Sequence, residues 1–231
     1  MTIDSINRQP LLSSSQVDTI IESTNTYFEP ICMSFSSCAF NVIDVWSYNE
    51  INNNLRMLEA GVVYSLPRRI NVFFVKSIFG SKCGQSYLDG FSTDKEAQIF
   101  IELACSDGPA EQLAHHMGIL LGLLETNTGF AQELVDGSNC STTGDLLCDT
   151  PADPYGMVRD STNTWVPVTM LDPALYFKNC EFIWEEKDNN DQYYTPHVSN
   201  MMSPYPCKCE FTRSQYLKMV ENYNLSEIKQ Y

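Results

Sequence analysis

The amino-acid sequence predicts a mixed α/β (α+β) fold, and three observations support this. A nearly continuous apolar run at 70–75 (INVFFV) has the length of a strand buried on both faces. Apolar residues recur at helical spacing in the segments 16–30 and 109–124. From 126 to 205 the chain is rich in Gly, Pro, Asp, Asn and Ser and loses this periodicity, which indicates a loop-rich second half.

The elements follow from local signals along the chain. The first predicted helix comes after three serines at 13–15 and ends at Pro30. Segments 31–35 and 40–46 are rich in β-branched and aromatic residues and predict strands, as do 70–75 and 99–104. Pro109 suits the first turn of the next helix and Gly122 its end. A closing helix is predicted at 212–223.

Composition excludes several classes of protein. The 231 residues are 43% hydrophobic and 19% charged, which indicates a globular chain rather than a disordered one. The net charge of −15 repels phosphate backbones, so we expect no nucleic-acid partner. No apolar run approaches the roughly 18 residues that a membrane span needs.

Cysteine content indicates the compartment. Nine cysteines are unusual where thiols are kept reduced, and the first residues contain no basic and apolar export signal. We therefore expect an extracellular, cell-surface or periplasmic protein whose export signal has been removed. Nine is an odd number, so at least one thiol lacks a partner within the chain.

The most informative stretch is 113–130, LAHHMGILLGLLETNTGF. It is followed by GDLLCDTPADP at 144–154, by a Met-containing turn at 200–203 and by FTRSQYLKM at 211–219. In this order and approximate spacing, the segments resemble the pappalysin (cytophagalysin) branch of the metzincin zinc peptidases, over at least 70–223. In that family a helix carries HExxH, a Gly turn follows, and a third His completes the zinc site.

The resemblance implies a single metzincin-like catalytic-type domain over 1–231. An upper subdomain (1–125) would contain a twisted mixed β-sheet, a backing helix and the former active-site helix. A loop-rich and disulfide-rich lower subdomain (126–231) would carry the Met-turn, with Met202 as the apolar floor of the site.

The zinc motif itself is degenerate. His115 matches the first ligand, but His116 stands at the general base, Ile119 at the second ligand and Glu125 at the third. An isoleucine side chain has no lone pair, and neighbouring residues on a helix diverge by about 100°, so His115 and His116 do not face one point. We therefore expect neither catalytic residues nor zinc.

The GDLLCDTPADP loop has two interpretations. Some relatives bind calcium near it, and the resemblance implies Asp145 and Thr150 as oxygen ligands, with backbone carbonyls from Gly144 and Leu146. Alternatively, Asp145 and Asp149 only form Asx turns that hold the loop.

The resemblance also implies disulfides in the lower half. Two are common in this branch, at positions matched by Cys140, Cys148, Cys180 and one of Cys207 or Cys209. Further candidate pairs are Cys32 with Cys38 and Cys83 with Cys105, which would leave one thiol over. The sequence alone does not decide the connectivity.

These observations predict a catalytically inactive metallopeptidase homologue. We expect this pseudopeptidase to bind a protein partner or to serve as a subunit of a larger cell-surface complex. One alternative is an active zinc metalloendopeptidase that uses His115, Glu125 and a third ligand such as His116 or His197. Another is a calcium-stabilised module that binds a peptide or glycan.

Overall fold

A computed structural model of the chain describes residues 9–67, 69–80, 83–87, 97–128, 132–154, 157–159, 165–167 and 177–225. Its contacts divide the chain into two compact units. The first comprises Met1–Leu121 and Val220–Tyr231, and the second comprises Gly122–Met219.

Four α-helices lie within the described residues, namely α1 (Ser14–Thr26), α2 (Asn54–Tyr64), α3 (Pro109–Leu120) and α4 (Arg213–Leu225). The described strands are β1 (Glu50–Ile51), β2 (Ile70–Val75), β3 (Ser77–Ile78), β4 (Gly84–Tyr87), β5 (Ala97–Glu102), β6 (Met157–Arg159), β7 (Trp165–Pro167), β8 (Phe177–Lys178) and β9 (Glu181–Phe182). The predicted mixed α/β class is confirmed.

A three-stranded mixed sheet organises the first unit. Its order is β2-β5-β4, with β2 parallel to β5 and β4 antiparallel to it. The strand predicted at 70–75 is confirmed, and Phe73 stacks on Phe100 of the central strand with ring centroids 4.6 Å apart. The last three residues of β2 are buried, as are Ile99, Phe100 and Ile101 in the middle and second half of β5.

Helices α1 and α3 pack together in this unit. Ser13 and Gln16 form a reciprocal capping box, and α1 begins within the serine run rather than after it. The Thr24 hydroxyl donates to the Ala110 carbonyl at 3.2 Å, which ties the end of α1 to the start of α3. Helix α3 ends at Leu120, four residues before the predicted end, because Gly122 has left-handed backbone (φ +85).

The strands predicted at 31–35 and 40–46 are wrong. Apart from a single bridge residue, Ile43, these segments are irregular, and their outer ends belong to two 3₁₀ turns, Glu29–Ile31 and Trp46–Tyr48. The Asn25 side chain both donates to the Phe35 carbonyl and accepts from the Phe35 amide, at 2.9 and 2.7 Å. Because these backbone groups bond a side chain, they are not available to a strand ladder.

Helix α2 completes the core of the first unit. Asn53 caps its start by accepting from the Arg56 amide at 3.0 Å. Met57 and Ala60 lie in a cluster of buried side chains that also includes Ile51, Phe73 and Phe100 among its members. The Asn-rich segment before α2 indicates only the end of a strand, so this helix is absent from the elements that the sequence predicts.

The second unit is loop-rich, as predicted. It contains the two-stranded pairs β6–β7 and β8–β9, and isolated bridges join Lys187 to Tyr193 and Asn200 to Glu210. Elsewhere in the described residues of this unit, turns and side-chain hydrogen bonds hold the backbone. Because little regular structure is present, disulfides and buried polar groups carry much of the local organisation.

The structure contains three disulfides, Cys83–Cys105, Cys140–Cys148 and Cys180–Cys207. The candidate pair Cys32–Cys38 is not formed. Cys32 ends a 3₁₀ turn in left-handed backbone (φ +53), and both thiols are exposed. Cys209 is also free and exposed, so three thiols remain rather than one. No helix in the described part of the chain is long and apolar enough to cross a membrane.

Candidate functional site

Helix α3 carries His115 and His116, the two histidines of the stretch that resembles a zinc-peptidase motif. His115 and His116 are both buried, with ring centroids 5.1 Å apart and ring planes at 86°. The two ring planes are therefore nearly perpendicular. Ile119, at the position of the second ligand, is half-buried.

The His116 side chain faces strand β4. Its Nδ1 lies 3.3 Å from the Ser86 hydroxyl, and the tautomer decides which atom donates. A Cβ added at Gly84 would collide with Nε2 of the same ring, so glycine leaves the space that the imidazole fills. His116 is thus a packed residue of the core of the first unit.

The candidate zinc donors are not grouped as a metal site within the described residues. His115 and His116 belong to the first unit, whereas Glu125, His197 and Met202 belong to the second. His197 Nε2 lies 3.0 Å from a carboxylate oxygen of Glu210. Among the described residues, no three His, Cys, Asp or Glu side chains are grouped as a metal site. Zinc sites normally take three or four nitrogen, sulfur or carboxylate ligands around one point.

The GDLLCDTPADP loop is organised around Asp145. Its Oδ1 accepts from the Leu147 amide at 3.0 Å and from the Thr150 hydroxyl at 2.7 Å, which is an Asx turn closed by a side chain. Gly144 and Leu146 flank it in left-handed backbone, with φ of +57 and +66. Burial raises the pKa of Asp145, although these hydrogen bonds oppose the shift.

Asp149 has a different role in the same loop. Its two carboxylate oxygens accept from the Thr212 hydroxyl at 3.0 Å and from the Ser214 amide at 2.8 Å. It thereby satisfies one of the free amides at the start of α4 and places a negative charge near the positive end of the helix. The loop and the final helix are therefore joined within the second unit.

Glu133 is a buried carboxylate of the second unit with a strongly raised pKa. It is only 7% exposed, and no hydrogen-bond donor is found beside its carboxylate in the described part of the chain. Burial, and then the charges of Asp145 and Asp153, raise its pKa to about 7. A Cβ at Gly144 would collide with this carboxylate. A cavity of about 290 Å³ adjoins it, with Glu133, Asp149 and Thr150 among its lining residues.

A buried amide pair supports the methionine-containing turn at 200–203. Asn200 and Gln215 are fully buried and exchange two hydrogen bonds, at 3.0 and 3.1 Å. The Asn200 side chain also accepts from the Met202 amide at 2.7 Å, and Gln215 Nε2 lies 3.4 Å from Asp145. Met202 itself is fully buried, so it occupies an apolar interior position of the second unit.

Tyr205 follows the turn after Pro204. Its hydroxyl donates to Asp153 at 2.9 Å, and its ring stacks on Phe177 with centroids 5.6 Å apart. The second Asp153 oxygen accepts from the Thr126 hydroxyl at 2.7 Å. Tyr205 is therefore part of a hydrogen-bonded core.

Glu133 and Gln215 are not among the residues that the sequence predicts for this site. A single Glu in an aperiodic loop has no local signature, and only the fold shows that it is buried. Gln215 lies within FTRSQYLKM, so its place in that motif was the one available signal.

Three comparisons with known proteins, against family models, curated proteins and solved structures, found no match.

Proposed function

We propose that this chain is a catalytically inactive homologue of pappalysin-type metallopeptidases, exported from the cell, that binds a protein partner as part of a surface assembly. One observation supports the proposed inactivity. His116, which the resemblance places at the general-base position, packs against β4 between Gly84 and Ser86. A general base must instead reach the proton that it abstracts from water.

The chemistry of the helix supports the same conclusion. A zinc peptidase needs metal-bound water and a base, and Ile119 offers no lone pair to a metal. Loss of general acid–base catalysis alone typically costs about 10²–10⁴ in rate. Of the three matched ligand positions, only His115 and Glu125 could still bind a metal. Two ligands are too few for a structural or catalytic zinc site.

Export is supported by the three disulfides, which form and persist in oxidising compartments. The proposed loss of peptidase activity also favours partner binding. A metzincin-like domain that no longer cleaves peptides still has a surface that can bind another protein. The net charge of −15 favours a partner with a basic or neutral contact surface.

Peptidase assays with elemental analysis test the proposal. The purified chain, oxidised and supplied with zinc, should cleave casein and a peptide library no faster than the buffer and should retain no stoichiometric zinc after dialysis. Chelator-sensitive cleavage that disappears in His115→Ala would instead establish the enzyme alternative. Partner binding is tested by passing a cell-surface protein fraction over the immobilised chain, which should retain a protein from that fraction. A reduced and alkylated chain is the control.

Glu133 favours a second candidate, a calcium-stabilised binding module. Glu133 is a buried carboxylate close to Asp145 for which the described residues supply no hydrogen-bond donor. Such a pair is suited to a cation because the cation offsets both charges. Glu133 and Asp145 would hold calcium, with the Thr150 hydroxyl and the carbonyls of Gly144 and Leu146 as further oxygen donors. Bound calcium would supply charge neutralisation to the loop and no catalysis.

Calcium titration of stability tests this second candidate. At pH 8 in 100-fold excess over its dissociation constant, calcium should raise the free energy of unfolding by about 2.7 kcal/mol. Glu133→Gln should abolish most of this gain, whereas Glu185→Gln, at an exposed position of the same unit, should retain it. If calcium leaves the wild-type unfolding midpoint unchanged, the loop is held by its Asx turn alone.

A further inference from the structure

The cavity of the second unit combines carboxylates with an apolar wall. Glu133, Asp136 and Asp149 line its volume of about 290 Å³, and no Lys, Arg or His is found among the described residues that line it. Val135 and Pro151 contribute apolar surface to the same wall. Small-molecule pockets usually enclose roughly 300–1,000 Å³, so this cavity suits a ligand of about the size of one side chain.

The three carboxylates of this wall differ in their hydrogen bonds. Both oxygens of Asp149 accept hydrogen bonds from the start of α4. Asp136 is exposed, and its Oδ1 accepts from the Ser138 amide at 2.9 Å. Glu133 is 7% exposed, and the described residues supply no donor to its carboxylate. Glu133 is therefore the member of the set whose charge the described part of the chain leaves uncompensated.

The Glu133 carboxylate is also accessible. In the described part of the chain, the side-chain polar atoms that are fully enclosed and lack a partner belong to Ser65, Asn127 and Gln132. The Glu133 oxygens are not among them, although they too lack a donor, so they still contact the space that the residue lines. A cation that enters this space would meet a carboxylate from which water is largely excluded, where a charge pair is stronger than at an open surface.

We propose that this cavity binds one basic side chain, a lysine or an arginine, of the protein partner, with its charged end paired to Glu133. The inference rests on the proposed function, because it specifies the chemistry of that partner. Val135, Pro151 and the Cys140–Cys148 disulfide would pack against the aliphatic part of the side chain. Exposed Asp136 adds a negative charge that attracts a basic segment during approach.

The composition of the wall favours a basic side chain over a metal ion in the cavity. Calcium takes six to eight oxygen ligands and gains nothing from an apolar wall. A basic side chain uses both parts of the cavity, since its stem is apolar and its end is charged. Because neither Glu133 oxygen has a donor, a guanidinium group can bind both of them, so arginine should bind more tightly than lysine.

A titration with two ligands of the same shape tests the proposal. The oxidised full chain is titrated at pH 8 with EDTA present, so that calcium does not occupy Glu133, and binding is followed by NMR chemical shifts. N-acetylarginine amide should bind with a dissociation constant of about 1 mM, as expected for a ligand of this size. N-acetylcitrulline amide, which is neutral, should bind at least about tenfold more weakly, and N-acetyllysine amide, with its side chain free and charged, should fall between the two.

A matched pair of variants locates the site. Glu133→Gln should weaken binding of the arginine amide at least about tenfold, to the level of the citrulline ligand, because the pair of opposite charges is lost. Glu185→Gln, at an exposed position of the same unit, should bind as the wild type does. The NMR spectrum of each variant verifies that it is folded, and the citrulline comparison in the wild type does not depend on any variant.

Three results would each overturn the proposal: no binding of the arginine amide, equal binding of the citrulline amide, or unchanged binding to Glu133→Gln. Retention of a surface protein and the peptidase assay test the proposed function separately. A chain that is inactive and retains a partner, but does not bind the arginine amide, would refute this inference alone.

Discussion

At the scale of single residues, Glu133 makes stability depend on pH. Its pKa rises from an ordinary 4.5 to about 7 on folding, because burial and two neighbouring carboxylates disfavour its charge. The unfolded chain therefore releases this proton at lower pH than the folded chain, so the free energy of unfolding falls as pH rises from about 4.5 to about 7. The contribution is at most about 3 kcal/mol.

Replacing Glu133 by its neutral isostere should remove this dependence. Glu133→Gln should match the wild type near pH 4.5 and exceed it by up to about 3 kcal/mol above pH 7, since the amide carries no charge to bury. Urea unfolding in the presence of a chelator, from pH 4.5 to 8, measures the difference. Exposed Glu185→Gln is the control. A constant difference between Glu133→Gln and the wild type across this range would contradict the assigned pKa.

Gly84 is a second residue with a defined packing role. Gly84→Ala should destabilise the protein by about 1–3 kcal/mol, because the new methyl group collides with the His116 ring. The double variant Gly84→Ala/His116→Ala should lose less stability than the sum of the single variants, since the methyl group then enters the vacated space. Denaturant unfolding of all four proteins measures this coupling, and strict additivity would show that the two residues do not compete for space.

At the scale of elements, α1 depends on its capping box. Ser13 accepts from the Gln16 amide, and the Gln16 side chain accepts from the Ser13 amide. Ser13→Ala should cost about 1 kcal/mol of unfolding free energy, whereas Ser14→Ala, inside the first turn, should change it little. Urea titrations of both variants compare the two positions. Equal effects would mean that the cap does not stabilise the helix.

At the scale of the whole molecule, two disulfides constrain the second unit unequally. Cys180–Cys207 closes a segment with a sequence separation of 27, and Cys140–Cys148 one of 8. Loop-closure entropy predicts a loss of about 3.5 kcal/mol for Cys180→Ser/Cys207→Ser and about 2.5 kcal/mol for Cys140→Ser/Cys148→Ser. Equilibrium unfolding of both variants tests this order, and a larger loss for the shorter loop would show that native contacts outweigh chain entropy.

The sequence by itself determined the elements whose signals are local. Helices α1 and α3 and strand β2 were predicted because caps, a terminal proline and hydrophobic periodicity depend on near neighbours along the chain. That position 119 carries no metal-binding side chain was equally evident, since it depends only on the identity of Ile119. Helix α2 was missed because the asparagines before it were interpreted only as the end of a strand, although one of them, Asn53, caps the helix.

Only the tertiary structure decided which residues meet across the sequence. The direction of the His116 ring depends on the space left by Gly84, and the partner of Cys180 depends on how two distant turns approach each other. The raised pKa of Glu133 arises from burial beside Asp145, twelve positions away along the chain. Each of these properties is set by distance in space and by exclusion of water, and neither quantity is encoded in a local pattern.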